Sequence, residues 1–301
     1  MTIREGILAA LLVTLATPAT WPLALATFLI RGGIVVVVLP IVVLPTAVGL
    51  GNVLGPPLQS VAFGTIPGEL IVGVGVAGIA VVAWLVGGGW LAAASEAHGA
   101  WIVGRENDPA TVAASPRAGS LALRILAVRL IAAIPFAVVL AVGSIRLVFV
   151  TYRELTAPVD VATPIVVRVL RATPEVVIAV VLAWMLAEIL GAVAARRIAL
   201  ADARIGRALR SAVSILLRQP GGSLARFWLP TLVLIAIAVP AALAAGSSWD
   251  AVGSALGGDA DPVQSFLAVL VFVGLWVVGL MLIGVVCAWR AAVWTVADAG
   301  R

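Results

Sequence analysis

The chain has 301 residues, of which 63% are hydrophobic and 11% charged, with a formal net charge of +5 and a mean hydropathy of +1.20. A soluble domain is roughly 45–50% apolar and about 25% charged, so the composition excludes an ordinary soluble fold and predicts an integral membrane protein. All nineteen basic residues are arginine and stand beside apolar runs, where anionic lipid headgroups, and not nucleic acid, are the expected partner.

Residues 1–20 open with Arg4 and a short apolar run that superficially resembles a signal peptide. The apolar stretch Trp21–Ile30 leads on into a full span, which argues against cleavage and for an interfacial or partly inserted helix over Glu5–Leu15. Six apolar stretches follow, near Trp21–Leu50, Glu69–Ala93, Ile125–Val150, Glu175–Ala195, Phe227–Ala245 and Phe266–Ala288. Each approaches or exceeds the roughly 20 residues that a spanning helix needs. A proline precedes each one, at Pro18, Pro67, Pro116, Pro174, Pro220 and Pro262. Proline suits a first helical turn, where its missing N–H would be unpaired in any case.

The expected fold is therefore all-α, a single polytopic membrane domain over residues 1–301. It has about six transmembrane helices and additional interfacial amphipathic helices. Two internal likenesses suggest three helical hairpins. VAASPRAGSLALR (Val112–Arg124) and LLRQPGGSLAR (Leu216–Arg226) share a proline, then Gly-Ser-Leu-Ala, then arginine. The ends of the second, fourth and sixth spans, WLAAASEAHGAW, AVAARRIALAD and CAWRAAVWTVAD, also look alike.

Sidedness follows from arginine placement, because cytoplasmic loops collect positive charge. The segment 196–222 and its flanks hold Arg196, Arg197, Arg204, Arg207, Arg210, Arg218 and Arg226 and read as inside, as do Arg105, Arg117 and the tail from Arg290 to Arg301. The Gly51–Gly68 connection carries no charge and Ser247–Pro262 carries only aspartates, so both read as outside. Both termini are then cytoplasmic, in a multi-pass protein of the cell membrane. One connection conflicts: Thr151–Thr173 is outside by parity, yet it holds Arg153, Arg168 and Arg171 just after Arg146.

Within the arginine-rich segment, Ile198, Ile205, Leu209, Ala212, Val213 and Leu216 share one helical face. Arg204, Arg207, Ser211, Ser214 and Arg218 share the opposite one. Such a helix lies in the membrane plane with arginines toward phosphates, which makes Arg204, Arg207 and Arg218 candidate lipid-phosphate contacts. Pro164–Arg171 reads as a shorter counterpart, with Arg168 and Arg171 on its polar side.

Glu188 lies within the fourth span, and an intramembrane carboxylate defaults to a functional reading such as a proton relay. The structural alternative is pairing with an arginine such as Arg129 or Arg226. Arg31-Gly32-Gly33 interrupts the first apolar run. It is either part of a broken helix lining a site or the cytoplasmic edge of a span that starts at Ile34. Gly73-Val-Gly75-Val-Ala-Gly78 matches a dinucleotide pattern but lies inside an apolar span without the strand the pattern requires. Its glycines, like the Ala187/Gly191/Ala195 row, are read as sites of close helix approach.

The only histidine, His98, and the only cysteine, Cys287, leave no cysteine-cluster metal site and no disulfide within the chain. Glu96 and His98, two apart, diverge on a helix and make no metal pair. No nucleophile elbow or P-loop is present, so neither a cofactor nor enzymatic chemistry is expected.

At RGGIVVVVLPIVVLPTAVGL (Arg31–Leu50), and in its alternation of amphipathic linker and span, the sequence resembles uncharacterised bacterial polytopic membrane proteins. The resemblance implies six helices and carries no catalytic motif. The expected role is a non-enzymatic accessory or scaffolding subunit that contacts lipid or other membrane proteins. A small permease or transporter subunit built on the Arg31 region and Glu188 is the alternative, and a lipid-modifying enzyme dependent on His98 stands third.

Overall fold

A computed structural model of the chain describes residues 2–42, 56, 59–60, 63–107, 118–156, 163–257 and 261–299. Among these the regular elements are all helical. They are α1 (Ile3–Ala16), α2 (Thr20–Phe28), a π-helical turn (Leu29–Gly33) and α3 (Ile34–Val38). Then come α4 (Gly68–Ala83), a second π-helical turn (Trp84–Gly88), α5 (Gly89–Asn107) and α6 (Ala118–Thr156). The last five are α7 (Ile165–Ala172), α8 (Pro174–Ala201), α9 (Ile205–Arg218), α10 (Pro220–Gly257) and α11 (Pro262–Ala299).

Six helices are long and apolar enough to cross a membrane: Thr20–Val38, Gly68–Asn107, Gly119–Glu154, Pro174–Ala201, Pro220–Gly257 and Pro262–Asp298. The protein is thus an all-α, six-helix, multi-pass membrane protein. The proline device is used as expected, since Pro174, Pro220 and Pro262 are the first residues of α8, α10 and α11 and Pro67 immediately precedes α4. Pro116 lies outside the described residues, as do half of the Gly51–Gly68 connection, Arg117, Asp160 and Arg301. The helices outrun the apolar stretches. At 1.5 Å per residue the 39 residues of α6 extend about 58 Å, against a hydrocarbon core of about 30 Å.

The chain forms two compact units. The first comprises residues 1–20, 97–231 and 289–301. In it α6 lies along α8, and two glycines make the approach possible. A Cβ on Gly143 would stand 2.7 Å from Val176 Cγ1, and one on Gly191 would stand 2.9 Å from the Arg129 Cδ and Nη1. Of the Ala187/Gly191/Ala195 row, Gly191 makes room for the Arg129 side chain of α6. The N-terminal helix α1 begins with a reciprocal cap. The Thr2 N–H donates to the Glu5 carboxylate at 2.7 Å, and the Glu5 N–H donates to the Thr2 hydroxyl at 3.3 Å, satisfying two otherwise orphaned donors. The indole N–H of Trp289 donates to the Ile7 carbonyl at 3.1 Å, fixing α1 to the end of α11.

The second unit comprises residues 21–96 and 232–288. Small residues again set the approach of its helices: Gly284 lies against the Trp21 carbonyl and Gly279 against Ala241. Trp276 packs deep within it, beside Val37, Ala238 and Gly279. The glycines of the dinucleotide-like run behave differently from expectation. Gly73, Gly75 and Gly78 have no neighbouring atom within 4 Å of an added Cβ, and α4 buries none of its residues. Within this chain they mediate no close helix approach.

Candidate functional site at the arginine-rich end

One end of the first unit gathers the start of α6, the end of α8, α9, the start of α10 and the end of α11. Ion pairs between residues distant in sequence tie these together. Arg124 of α6 pairs with Asp202 at the end of α8. Arg197 of α8 meets Asp298 of α11 at 2.9 Å. Arg196, only 3% exposed, donates its Nε–H to the Thr295 hydroxyl at 2.9 Å and an Nη2 hydrogen to the Ala291 carbonyl at 3.4 Å. An arginine expected in a cytoplasmic linker is therefore a buried strut between α8 and α11.

Glu188 stands about two turns before Arg196, facing two cations. Its Oε2 accepts from Arg290 Nη2 at 3.1 Å and lies 3.8 Å from Arg129 Nη1. The Arg290 guanidinium also lies over the Phe227 ring, 5.6 Å from its centre, and Trp184 meets the same ring edge-on. Of the two arginines named from sequence, Arg129 is a partner of this carboxylate. Arg290 is the closer one, and sequence reasoning did not associate it with Glu188. The carboxylate thus links three helices, α8 through Glu188, α6 through Arg129 and α11 through Arg290.

The helical periodicity read across Ile198–Arg218 is interrupted in the structure. Ile198 belongs to α8 and is buried, and the chain turns at Asp202, whose φ of 50° and ψ of 33° are left-handed. Aspartate is among the few non-glycine residues that visit this region readily. Three residues later α9 begins, folded back on α8 through its buried Ala208 and Ala212. The remainder of α9 divides into two exposed flanks. On one lie Val213 and Leu217, the latter 75% exposed. Toward the other lie Arg204, Arg207 and Arg218, with Arg210 beside Leu217, all four exposed. Arg197, Asp202, Arg204, Arg207 and Ser211 line a cavity of about 450 Å³ at the α8–α9 turn. The structure thus brings Arg204 and Arg207 together and leaves Arg218 at the far end of α9.

Comparison with protein families, characterised proteins and solved structures finds no match to this chain. The site is accordingly read from its own chemistry.

In the second unit, Arg31 lies in the helical stretch Thr20–Val38, at a break in its backbone. Its guanidinium donates to Glu96 at 2.5 Å, and the Glu96 carboxylate is buried. Around it the helix kinks at the π-turn: Arg31 (φ −81°, ψ 17°) and Gly32 (φ 105°, ψ −7°) leave the helical region, the latter in a conformation that glycine adopts without steric cost. Gly33 is needed as well, because a Cβ there would fall 2.4 Å from the Phe28 ring. The carbonyl of Ile30 in this turn accepts from the Trp84 indole at 3.0 Å, and Trp84 opens the second π-turn. A kink and a π-turn are therefore joined by this hydrogen bond. Glu96 was considered from sequence only beside His98. His98 instead stacks on Trp101, which also carries Arg105 over its face. Among the described residues no three His, Cys, Asp or Glu side chains form a metal cluster.

In the conflicting connection most arginines are paired. Arg168 and Arg153 stand 3.6 and 3.8 Å from the buried Glu154, and Arg146 stands 3.8 Å from Glu175. Three of the four arginines near this connection thus carry a carboxylate counter-charge.

Proposed function

We propose that this protein is a non-enzymatic accessory or scaffolding subunit of a cell membrane, whose arginine-rich end faces the cytoplasm and holds anionic lipid. The observation that carries this reading is α9. Its buried face is spent on α8, one exposed flank is apolar and the other presents arginines. That three-way division fits a helix seated in the headgroup plane, with Val213 and Leu217 toward acyl chains and the arginines toward phosphates. Among the described residues Arg204, Arg207 and Arg218 have no carboxylate partner, so their charge is available to lipid. The ion pairs of Glu188 with Arg290 and Arg129 support the same reading, as a clamp between helices.

The test is lipid and partner retention. Purified gently, the wild-type protein should carry anionic lipid visible by mass spectrometry, and replacing Arg204, Arg207, Arg210 and Arg218 together by glutamine should strip it. Retention of the same lipids by the quadruple variant would refute the reading. A stoichiometric protein partner in the same preparation would identify what is scaffolded.

A small permease or transporter subunit is the second reading. It is favoured by the π-turn at Leu29–Gly33 with its intramembrane Arg31–Glu96 pair, a kind of break that lines transport sites. Arg31→Gln abolishing a reconstituted flux while the protein stays folded would bring it to the front. Absence of any flux for the wild-type protein would remove it.

A further inference from the structure

The cavity at the α8–α9 turn has a charge composition more specific than a basic surface. Its five polar lining residues are Arg197, Asp202, Arg204, Arg207 and Ser211. Two of these are compensated: Asp202 by Arg124 and Arg197 by Asp298. Arg204 and Arg207 have no carboxylate partner among the described residues, so two guanidinium charges are in excess around one concave space. Ser211, one turn beyond Arg207 on α9, adds a hydroxyl that can donate to an oxyanion. The cavity also lies where α9 begins. Its N-cap residue, Arg204, makes no side-chain cap, so the first-turn N–H groups point their partial positive charge toward the same end.

We propose that this cavity binds the phosphate of a monoester, with Arg204 and Arg207 as the charge-bearing contacts, Ser211 as a hydroxyl donor and Arg197 as the fixed wall. A monoester is the anion of matching charge, at about −1.5 to −2 near neutral pH, whereas a phosphodiester carries a single charge. Guanidinium groups add paired, planar hydrogen bonds to phosphate oxygens. The pairing of Asp202 with Arg124 matters here, because an unpaired carboxylate in the wall would repel the ligand. The monoester can reach the site as the headgroup of a lipid or as free phosphate. The proposal rests on the reading of this end as a lipid-holding surface and narrows it to one site and one headgroup class.

The experiment uses the full-length protein in a neutral detergent. Three probes are titrated separately by native mass spectrometry: dioctanoyl phosphatidic acid, dioctanoyl phosphatidylglycerol and inorganic phosphate. One phosphatidic acid should bind in preference to phosphatidylglycerol. Each of Arg204→Gln and Arg207→Gln should weaken it by about tenfold or more, the worth of one charge-assisted hydrogen bond. Arg210→Gln/Arg218→Gln, which leaves the cavity lining intact, should weaken it less than either of these, and Ser211→Phe should abolish it while keeping every charge. Competition by inorganic phosphate would identify free phosphate as a sufficient ligand; binding of phosphatidic acid without such competition would identify the lipid. Equal affinity for the two lipids, or equal losses in the 204/207 and 210/218 variants, overturns the site and leaves the broader lipid-holding surface standing. No loss in any variant overturns both.

Discussion

Glu188→Gln is the most informative single change, because it removes one charge and keeps the shape. The carboxylate lies 3.1 Å from Arg290 and 3.8 Å from Arg129. With an effective dielectric of 20 these contacts are worth about 5 and about 4 kcal/mol of Coulomb energy. Most of that is offset by desolvation, but the offset has already been incurred by the two arginines, which remain in place when the carboxylate is neutralised. Breaking a fully buried pair from one side costs about 3–5 kcal/mol. Here the side chains of Glu188, Arg290 and Arg129 are 31%, 20% and 15% exposed, so a loss of about 2–3 kcal/mol is expected on discounting that range for partial solvation. Denaturant titration in mixed micelles, followed by tryptophan fluorescence, measures it. Adding Arg290→Gln to Glu188→Gln should cost less than the sum of the two single changes, since it removes the stranded cation. A Glu188→Gln variant within about 0.5 kcal/mol of wild type, the range of an uninvolved surface site, would refute the clamp. Loss of a proton-dependent flux at unchanged stability would identify a relay instead.

Three further outcomes are expected. The hydrogen bond from the Thr2 backbone N–H, and then that with its hydroxyl, hold the Glu5 carboxyl below the ordinary glutamate value. The cap is therefore fully present above the unfolded pKa and lost as pH falls through the folded one. A carboxyl-carbon NMR titration should place Glu5 below an ordinary glutamate, with Thr2→Ala returning it toward that value; an ordinary midpoint in the wild type would contradict the capping box. Gly33→Ala, whose Cβ would collide with the Phe28 ring, should cost about 1–3 kcal/mol as an overpacked site, and the pair Gly33→Ala/Phe28→Leu should recover part of it. Neutral behaviour in the single variant would mean that the π-turn is not formed as described. Finally, with the buried Cys287 replaced by alanine, Ser254→Cys should be labelled by an impermeant maleimide only from outside and Arg207→Cys only from inside. Labelling of either from the opposite face would overturn the orientation.

The six spans were legible because apolar length and a leading proline are local signals. The full helix lengths were not, because helix ends that leave the hydrocarbon are polar and hydropathy does not register them. The turn at Asp202 was hidden for a similar reason: residues on either side of it, Ile198 and Ile205, keep helical spacing by coincidence while belonging to two helices. Partners were the least legible. Arg31 finds Glu96 at a separation of 65 residues, Arg124 finds Asp202 at 78, and Arg290 finds Glu188 at 102. No local pattern encodes a pairing whose register depends on how two helices slide past one another.

That register is where the arginines acquire a second role. Between lipid-facing helices there is little hydrophobic driving force, so packing contacts and polar groups decide which faces meet. In the first unit the two devices coincide at a single place: Gly191 supplies the notch, and Arg129 lies in it, within ion-pair reach of Glu188 on the same helix. A shift of α6 by one residue would rotate Arg129 about 100° off that face, emptying the notch and stranding the charge. Arg129 thus fixes helix register by its position. Among the described residues Arg204, Arg207 and Arg218 make no such pair, and the first two line the cavity at the α8–α9 turn.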